Sequence, residues 1–412
     1  MMDVVREIRS FNEGRDPERL ALKYRNMRAS PFVFLRGTCH LFYDRLARIG
    51  APRSAPLTWV CGDLHLENFG SYKGDNRLVY FDINDFDESA LAPASWDLIR
   101  FLTSLWVGAE SLSAGPREAR RLCEVFIESY ASALSNGKAY WVERDTAQGL
   151  VRVLLDGLRE RQRSQFLAGR TDIKGRRRVL RTDGKKALGA SDQQRAMAVQ
   201  VIHQFAAAQP NPKFYEVLDV ARRIAGTGSL GIDRYAILVE GKGSPDGNYV
   251  LDLKRALPSS LVPHLKKVEQ PRWTSEAHRV VALQRRVQAV SMAFLQPVIV
   301  SGSPYVLRAL QPSEDRVALG GKSAQNASDL EGVITVMAKL VAWAQLRSAG
   351  RDGSDIADGL IDFGQRSKWK TRVLDASIEA AKQVQQDWTA YAAAYDDGAY
   401  SSSDRPGAGR TN

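Results

Sequence analysis

"CGDLHLENFG", residues 61–70, sets an aspartate, a histidine, a glutamate and an asparagine within six consecutive positions. The apolar run "PLTWV" (56–60) enters it as a short buried strand, and "NRLVYFDI" (76–83) follows as a second strand after the turn "KGDN" (73–76). A strand, loop and strand arrangement therefore brackets Asn68. An aspartate five residues before an asparagine suits a site in which Asp63 orients an attacking hydroxyl. The amide oxygen of Asn68, a hard neutral ligand, then holds a divalent cation beside it.

The chain around this loop is long enough for an extensive core, at 412 residues, 44% of them hydrophobic and 25% charged. It contains no unbroken apolar run of membrane-spanning length. The opening "MMDVVREIRSFNEGRDPERL" carries charges through its first turns and lacks the apolar centre of a secretory signal, so a cytoplasmic location is expected. Cys39, Cys61 and Cys123 are odd in number, widely spaced and without a CxxC pair, which offers neither a disulfide framework nor a zinc site. The net charge of +11 suits an anionic partner such as a nucleotide, a phosphorylated metabolite or nucleic acid, and equally suits simple solubility.

Four regions follow from the periodicities. Residues 1–212 read as a helical lobe that carries the catalytic loop and a metal-binding segment; "DPERLALKYRNM" (16–27) and "HLFYDRLARI" (40–49) are helices, and helical periods run from "SWDLIRFLTSL" (95–105) to about residue 210. One stretch, 159–186, is dense in Arg and Lys with little apolar periodicity; it reads as a solvated loop in preference to a phosphate-gripping lid. Residues 213–325 read as a strand-rich nucleotide-binding lobe, in which "YAILVE" (235–240) and "NYVLDLK" (248–254) flank the turn "GKGSPDG" (241–247). It continues through the helix "SEAHRVVALQRRVQAVSMAFL" (275–295) and the strand "SPYVLRALQ" (303–311). Residues 326–396 read as helices packing back on the helical lobe, and 397–412 as a disordered polar tail.

Phosphoryl transfer asks for a base, Mg²⁺ ligands, a cover for the phosphates and a lysine on their charge. Asp63 is the candidate base and Asn68 a candidate metal ligand. His65 is expected to bond a backbone carbonyl, and Glu67 to be equally structural. "FDINDFDES" (81–89) crowds Asp82, Asp85, Asp87 and Glu88 after an apolar strand, and like charges at that density call for a cation. Asp82 and Asp85 are both candidate metal ligands. "GTGSLG" (226–231) links what read as two antiparallel strands, so Gly226, Gly228, Ser229 and Gly231 form a candidate phosphate loop whose N–H groups face oxygens. Lys254 ends the strand "YVLDLK" within reach of phosphates, and Glu276, at the next helix start, is its candidate partner. "IDFG" (361–364) imitates a metal motif but reads as helix, which makes Asp362 structural.

Taken as a set, "SPFVFLRGT" (30–38), "CGDLHLENFG", "FDINDFDES", "SWDLIRFLTSL", "RIAGTGSLGIDRYAILVEG" (223–241) and "LDLKRA" (251–256) resemble the bacterial domain-of-unknown-function family 2252. That family is grouped with protein-kinase-like and aminoglycoside-phosphotransferase-like folds. "GDLHLEN" is similar to the loop of antibiotic and choline kinases. In those enzymes a metal aspartate is followed twelve residues later by an aspartate that braces the catalytic loop, an interval that Asp85 and Asp97 match. The resemblance thus prefers Asp85 over Asp82, although the Asn68-to-Asp82 interval is nearer the usual one between metal ligands. Cys61 stands where those kinases often carry histidine, and no glycine follows the metal aspartate. The order is also changed, since the glycine loop and Lys254 come more than about 160 residues after Asp63. What the resemblance implies is an α+β, bilobal, circularly permuted kinase-like fold, with a small antiparallel sheet lobe and a larger helical lobe. Such a permutation requires Lys254 within about 15 Å of Asp85, the reach of a lysine plus a diphosphate.

The expected function is ATP- and Mg²⁺-dependent phosphoryl transfer to a hydroxyl of a small molecule. Two alternatives stand beside it: nucleotidyl (AMP) transfer from a flipped ATP, and a non-catalytic nucleotide sensor or nucleic-acid-binding protein that uses residues 159–186. Nucleic acid is the less favoured partner, and no membrane is expected.

Overall fold

Four short helices open the chain: α1 (Val4–Phe11), α2 (Pro17–Met27), α3 (Pro31–Gly37) and α4 (Cys39–Ile49). The "DP" signal starts α2 as expected, because the Asp16 carboxylate accepts the Arg19 N–H and Pro17 takes a position that needs no donor. The computed structural model describes residues 3–49, 55–310, 315–320 and 327–400.

Two antiparallel ribbons come next. β1 (Leu57–Val60) pairs with β4 (Ala90–Pro93), and β2 (Phe69–Lys73) pairs with β3 (Val79–Ile83), so the loops 61–68 and 84–89 emerge side by side. β2 and β4, too short to show a pattern, were not expected from the sequence. Behind them runs α5 (Ser95–Gly108), whose residues from Ser95 to Leu105 are all buried. A helix that is apolar around most of its circumference belongs inside, and α5 is enclosed by α6 (Pro116–Ser135) and the later helices. The helix α7 (Gly149–Glu160) completes this part.

The basic stretch is a folded unit and not an open loop. It forms α8 (Arg163–Ala168) and the hairpin β5 (Thr171–Lys174) and β6 (Arg177–Leu180). One of its charges is tied down at the centre: Arg178, 5% exposed, donates to Asp246, to the Pro245 carbonyl and to Thr171. Those partners lie 67 and 68 residues away in sequence for Pro245 and Asp246, which is why local composition misreads the segment.

A six-stranded antiparallel sheet follows, with order β11-β12-β10-β9-β8-β7. Its strands are β7 (Ala187–Gly189), β8 (Val217–Arg223), β9 (Arg234–Val239), β10 (Tyr249–Arg255), β11 (Gln296–Val300) and β12 (Ser303–Ala309). Strand alternation divides β9 between two cores. Tyr235, Ile237 and Val239 pack with Ala198, Val201 and Ile202 of α9 (Asp192–Ala207). Ala236 and Leu238 pack with Leu167, Leu180 and Val250 on the face covered by α8 and the hairpin. Because β7 and α9 belong to this unit, the lobe boundary expected at residue 213 falls inside it.

The helix α10 (Glu276–Val287) stops earlier than its apolar pattern suggests. Gln288 turns extended and donates to the Ile83 carbonyl at 2.8 Å, leaving the downstream residues free to make β11. The helices α11 (Ala327–Ser348), α12 (Ala357–Gln365) and α13 (Lys368–Asp396) return to the helical part, α11 against α6 and α13 against α5 and α4. Asp362 lies on α12 and pairs with Arg366 on the surface, a structural role as read. Of the expected tail, residues 401–412 lie outside the described residues, while Tyr400 packs on Tyr24 and Tyr391. The architecture is α+β, and among the described residues no helix is long and apolar enough to cross a membrane.

Candidate functional site

The loop after β1 is held by backbone chemistry. Asp97, in the first turn of α5, accepts the Cys61 and Gly62 N–H groups at 2.9 and 3.0 Å, and Tyr43 donates to the Gly62 carbonyl. Asp97 thus fixes the turn that leads into Asp63. Burial pushes its carboxyl up to about 6 against the pull of those two N–H donors. Gly62 is required, with φ +84 and a would-be methyl only 2.3 Å from the Glu88 carbonyl oxygen.

Asp63 projects from this loop with Oδ1 at 2.6 Å from the fully buried guanidinium of Arg100. Arg100 also donates to the Leu35 carbonyl and lies 4.6 Å over the Phe42 ring. Burial raises the Asp63 carboxyl above its ordinary value, with Arg100 opposing the rise. His65 contacts a backbone amide and not the expected carbonyl: its Nδ1 accepts the Glu67 N–H. Burial beside Arg36 keeps the imidazole neutral, with Nε2 3.9 Å from Asp63. Glu67 is gripped by Arg36 and Arg316, each at 2.7 Å.

Asn68 uses its amide nitrogen to join the two acidic loops, donating to the carbonyls of Asp63 (2.9 Å) and Asp85 (3.3 Å). Its remaining side-chain polar atom is Oδ1, the ligand-type oxygen. Asp85 lines the same cavity as Asp63 and Asn68. Burial acts to raise its carboxyl, but Lys254 and Arg308 outweigh burial and hold it below the ordinary carboxylate range. Asp82 does not line the cavity. It is buried within β3, accepts the Ile83 N–H at 2.8 Å, and is pushed up to about 6 by burial, with Arg347 opposing. The two acids that spacing left in competition thus lie in different environments, and only Asp85 faces the cleft.

Lys254 arrives from β10. It is 3% exposed, paired with Asp87, and its Nζ is 3.8 Å from Asp85, well inside the distance a permuted arrangement requires. Glu276 is not its partner. That carboxylate pairs with Arg279 one turn along α10, at 2.6 Å, and the Arg279 guanidinium goes on to the carbonyls of Asp87, Ser89 and Leu257. The helix is therefore fastened to the acidic loop by arginine, and Asp87 takes the place expected of Glu276.

The glycine loop joins β8 to β9, which are antiparallel, and Gly226, Gly228, Ser229 and Gly231 line the cavity. A methyl on Gly228 would stand 2.9 Å from the Arg36 carbonyl oxygen and 3.9 Å from Asp63 Oδ2, so the loop lies directly against the proposed base. Helix α2 and the turn before it pin the loop. Arg15 and Lys23 both donate to the Gly228 carbonyl at 3.0 Å, and the Asp16 N–H donates to that of Gly231 at 2.9 Å. The result is a cavity of about 720 Å³ bounded by segments that run from Phe11 to Arg316.

Sequence reasoning missed the arginines here. Arg15, Arg36, Arg223, Arg234, Arg308 and Arg316 all line the cavity. The available signal was a charged residue interrupting an apolar strand, as Arg308 does in "YVLRAL" (305–310).

Neither the curated proteins nor the solved structures contain a match to this chain. A family model described as "Uncharacterized protein conserved in bacteria" (DUF2252) matches residues 15–394, a span that includes every residue of the cleft except Phe11, Glu13 and Gly14. The chain belongs to that bacterial family.

Proposed function

We propose that the cleft is the site of a kinase-like phosphotransferase that moves a phosphoryl group from ATP, with Mg²⁺, to a hydroxyl of a small molecule. The observation that carries this reading is the pairing of buried Lys254 with Asp85 and Asp87, two carboxylates that line one cavity with Asp63, Asn68 and the glycine loop. The strand bearing the lysine directly follows the two strands joined by the glycine loop, the order used in protein kinases, where a Gly-rich loop covers the phosphates and a β3 lysine reaches them. Because this lobe follows the catalytic loop in the chain, the kinase-like reading is a circularly permuted one.

Among the described residues no three His, Cys, Asp or Glu side chains form a ready-made metal cage. Mg²⁺ is held by one or two carboxylates together with substrate phosphates. Asn68 Oδ1 and Asp85 are the hard oxygen ligands that fit. Bound there, the ion would neutralise charge developing on the phosphate oxygens. Asp63 Oδ2, the carboxylate oxygen not engaged by Arg100, orients the acceptor hydroxyl and takes its proton. The acceptor oxygen bonds the γ-phosphorus, the bond from that phosphorus to the bridging oxygen breaks, and ADP leaves.

Titration of Mg²⁺-ATP by calorimetry tests this. Micromolar-range binding is expected for the wild type, at least about tenfold weaker binding for Lys254→Ala and Asp85→Asn, and no change for Asp82→Asn. No binding to folded wild type, with or without Mg²⁺, would sink the reading. Salt-dependent nucleic-acid binding that survives loss of Asp63 would then put residues 159–186 forward as the functional surface.

A further inference from the structure

The loop that carries Asp63 also carries Glu67, and two arginines from distant parts of the chain meet on that glutamate. Arg36, in the last turn of α3, and Arg316 each place Nη1 2.7 Å from the same oxygen, Oε2. Among the described residues nothing donates a hydrogen bond to Glu67 Oε1, and Arg316 makes no second side-chain hydrogen bond. The Arg36 guanidinium, on a side chain 12% exposed, has beyond this ion pair only the face of Phe32, 5.6 Å away, and its Nε is buried without a partner. Burial, and after it the nearness of Arg36, draws the Arg316 guanidinium below its ordinary value, with Glu67 opposing.

An arginine and a carboxylate that need only each other pair fork to fork. Asp315, next to Arg316 in the chain, is held so by Arg161, Nη1 to Oδ1 at 2.6 Å and Nη2 to Oδ2 at 2.9 Å. Two guanidiniums that share one oxygen instead leave donors of both unmatched, a geometry suited to a further oxyanion bridging them. The place of Arg316 is built. The buried Asp315 accepts the Ser71 N–H on its carbonyl at 2.9 Å, and a methyl on Gly70 would stand 2.6 Å from that oxygen. The glycine that closes "CGDLHLENFG" thus permits the close approach that brings Arg316 to Glu67. Arg36 is set against the glycine loop, and it lines the cleft together with Asp63, Glu67 and Arg316.

We propose that Arg36 and Arg316, spaced by Glu67, recognise an oxyanion on the acceptor, which is therefore a hydroxyl compound that also bears a carboxylate or a phosphate. Glu67 favours the acceptor over the nucleotide as the source of that anion. A carboxylate between the guanidiniums repels a run of phosphates, which Lys254 and the glycine loop already serve. Beside a single oxyanion, the same carboxylate uses Oε1 to accept a neighbouring hydroxyl. The oxyanion site rests on the phosphotransferase reading only for which substrate fills it, not for anion binding itself.

The test titrates glycerate and glycerol phosphate, each with one oxyanion beside hydroxyls, into the full chain by calorimetry, with glycerol as the neutral control. Saturable binding of at least one anion and none of glycerol is expected, and the tighter of the two identifies the oxyanion. Arg316→Gln is expected to weaken that binding at least about tenfold while keeping its circular dichroism spectrum. Arg161→Gln, which frees Asp315 without touching the site, is expected to weaken it at least about threefold. Should Arg316→Gln fail to fold, Arg36→Lys, which keeps the charge and loses the fork, is held to the same threefold criterion. No binding of either anion to wild type, or undiminished binding in the folded variants, overturns the site. Mg²⁺-ATP affinity is expected to be unchanged in Arg316→Gln; a tenfold loss gives the oxyanion to the nucleotide and overturns the assignment to the acceptor. Anion binding that depends on Arg316, in a protein indifferent to Mg²⁺-ATP, keeps the site and removes the phosphotransferase reading. Mg²⁺-ATP binding that depends on Lys254, in a protein indifferent to both anions, does the reverse.

Discussion

Replacing Asp252 by alanine should destabilise the sheet-bearing lobe far more than removing any one of the three arginines beside it. The carboxylate is fully buried and holds three guanidiniums at 2.6 to 3.3 Å, so its loss leaves Arg223, Arg234 and Arg308 facing one another with no anion between them. Orphaning one member of a buried ion pair costs about 3–5 kcal/mol, a large share of the roughly 5–15 kcal/mol by which folded domains are stable. Burial alone would raise the Asp252 carboxyl, but Arg223 and Arg234 outweigh it and hold it well below the ordinary range. A carboxyl with a depressed folded pKa contributes stability that is complete above its unfolded value, near 3.9, and is lost as pH falls through the folded value. The gap between wild type and variant should therefore be constant from about pH 7 to pH 5 and close only below about pH 4. Urea unfolding followed by circular dichroism at several pH values measures it. A loss under about 1 kcal/mol at neutral pH, or a gap that halves between pH 7 and pH 5, would show that Asp252 is not the counter-charge of the cluster. Formate, small enough to occupy the vacated volume, should restore part of the stability of the alanine variant and leave wild type unchanged.

Gly228→Ala places a methyl 2.9 Å from the Arg36 carbonyl oxygen; Mg²⁺-ATP affinity should fall about tenfold, roughly 1.4 kcal/mol, with the fold intact. A wild-type Kd by calorimetry would mean that the loop does not touch nucleotide. Glu276→Ala should cost under about 1 kcal/mol, because its ion pair with Arg279 is partly solvated, whereas Arg279→Ala, which deprives three carbonyls of their donor, should cost about 3 kcal/mol or more. Equal losses in chemical denaturation would restore Glu276 to a special role. Burial lifts Asp82 to about 6 from 3.8, so its contribution to stability is greatest in acid, falls as pH rises from about 4 to about 6, and is flat above. Asp82→Asn should gain on wild type by up to about 3 kcal/mol over that window, and thermal unfolding with a pH-independent difference would contradict the shift.

The parts of the cleft that sequence reveals are those whose chemistry depends on local spacing. Asp63 and Asn68 sit five residues apart because one short loop must hold both. The glycine loop announces itself by residues that few other backbones need, and Lys254 by a charge on an apolar strand. Asp97 drew attention only through a resemblance, by standing twelve residues after Asp85, and nothing in its own surroundings names the Cys61 and Gly62 N–H groups it accepts. Glu276 was misassigned because its helix position says only that a carboxylate is near; which cation it meets is settled by α10 turning Arg279 into the same space. Choosing between Asp82 and Asp85 needed the register of β2 on β3, which one strand's composition does not contain. The arginines around Asp252 were passed over for a related reason: Arg308 interrupts an apolar strand, but Arg223, Arg234 and Arg308 look like separate charges until four strands align them on Asp252. The hairpin at 171–180 was hidden by its own composition, because the arginine that fixes it, Arg178, is neutralised by Asp246 in a distant turn.

The glycine loop is anchored to Lys23 across 205 residues, and Lys254 to Asp87 across 167. Contacts of such separation pay their loop-closure entropy late, and topologies that rely on them fold slowly. During synthesis the N-terminal helices must wait, with Lys23 and Arg15 lacking their eventual acceptor, until β8 and β9 emerge far behind them. The cleft is therefore expected to mature late, and a chain arrested before β9 would hold Asp63, Asn68 and Asp85 without the completed glycine loop or Lys254 beside them. Competence would appear abruptly, when the sheet docks, and not accumulate as the chain lengthens.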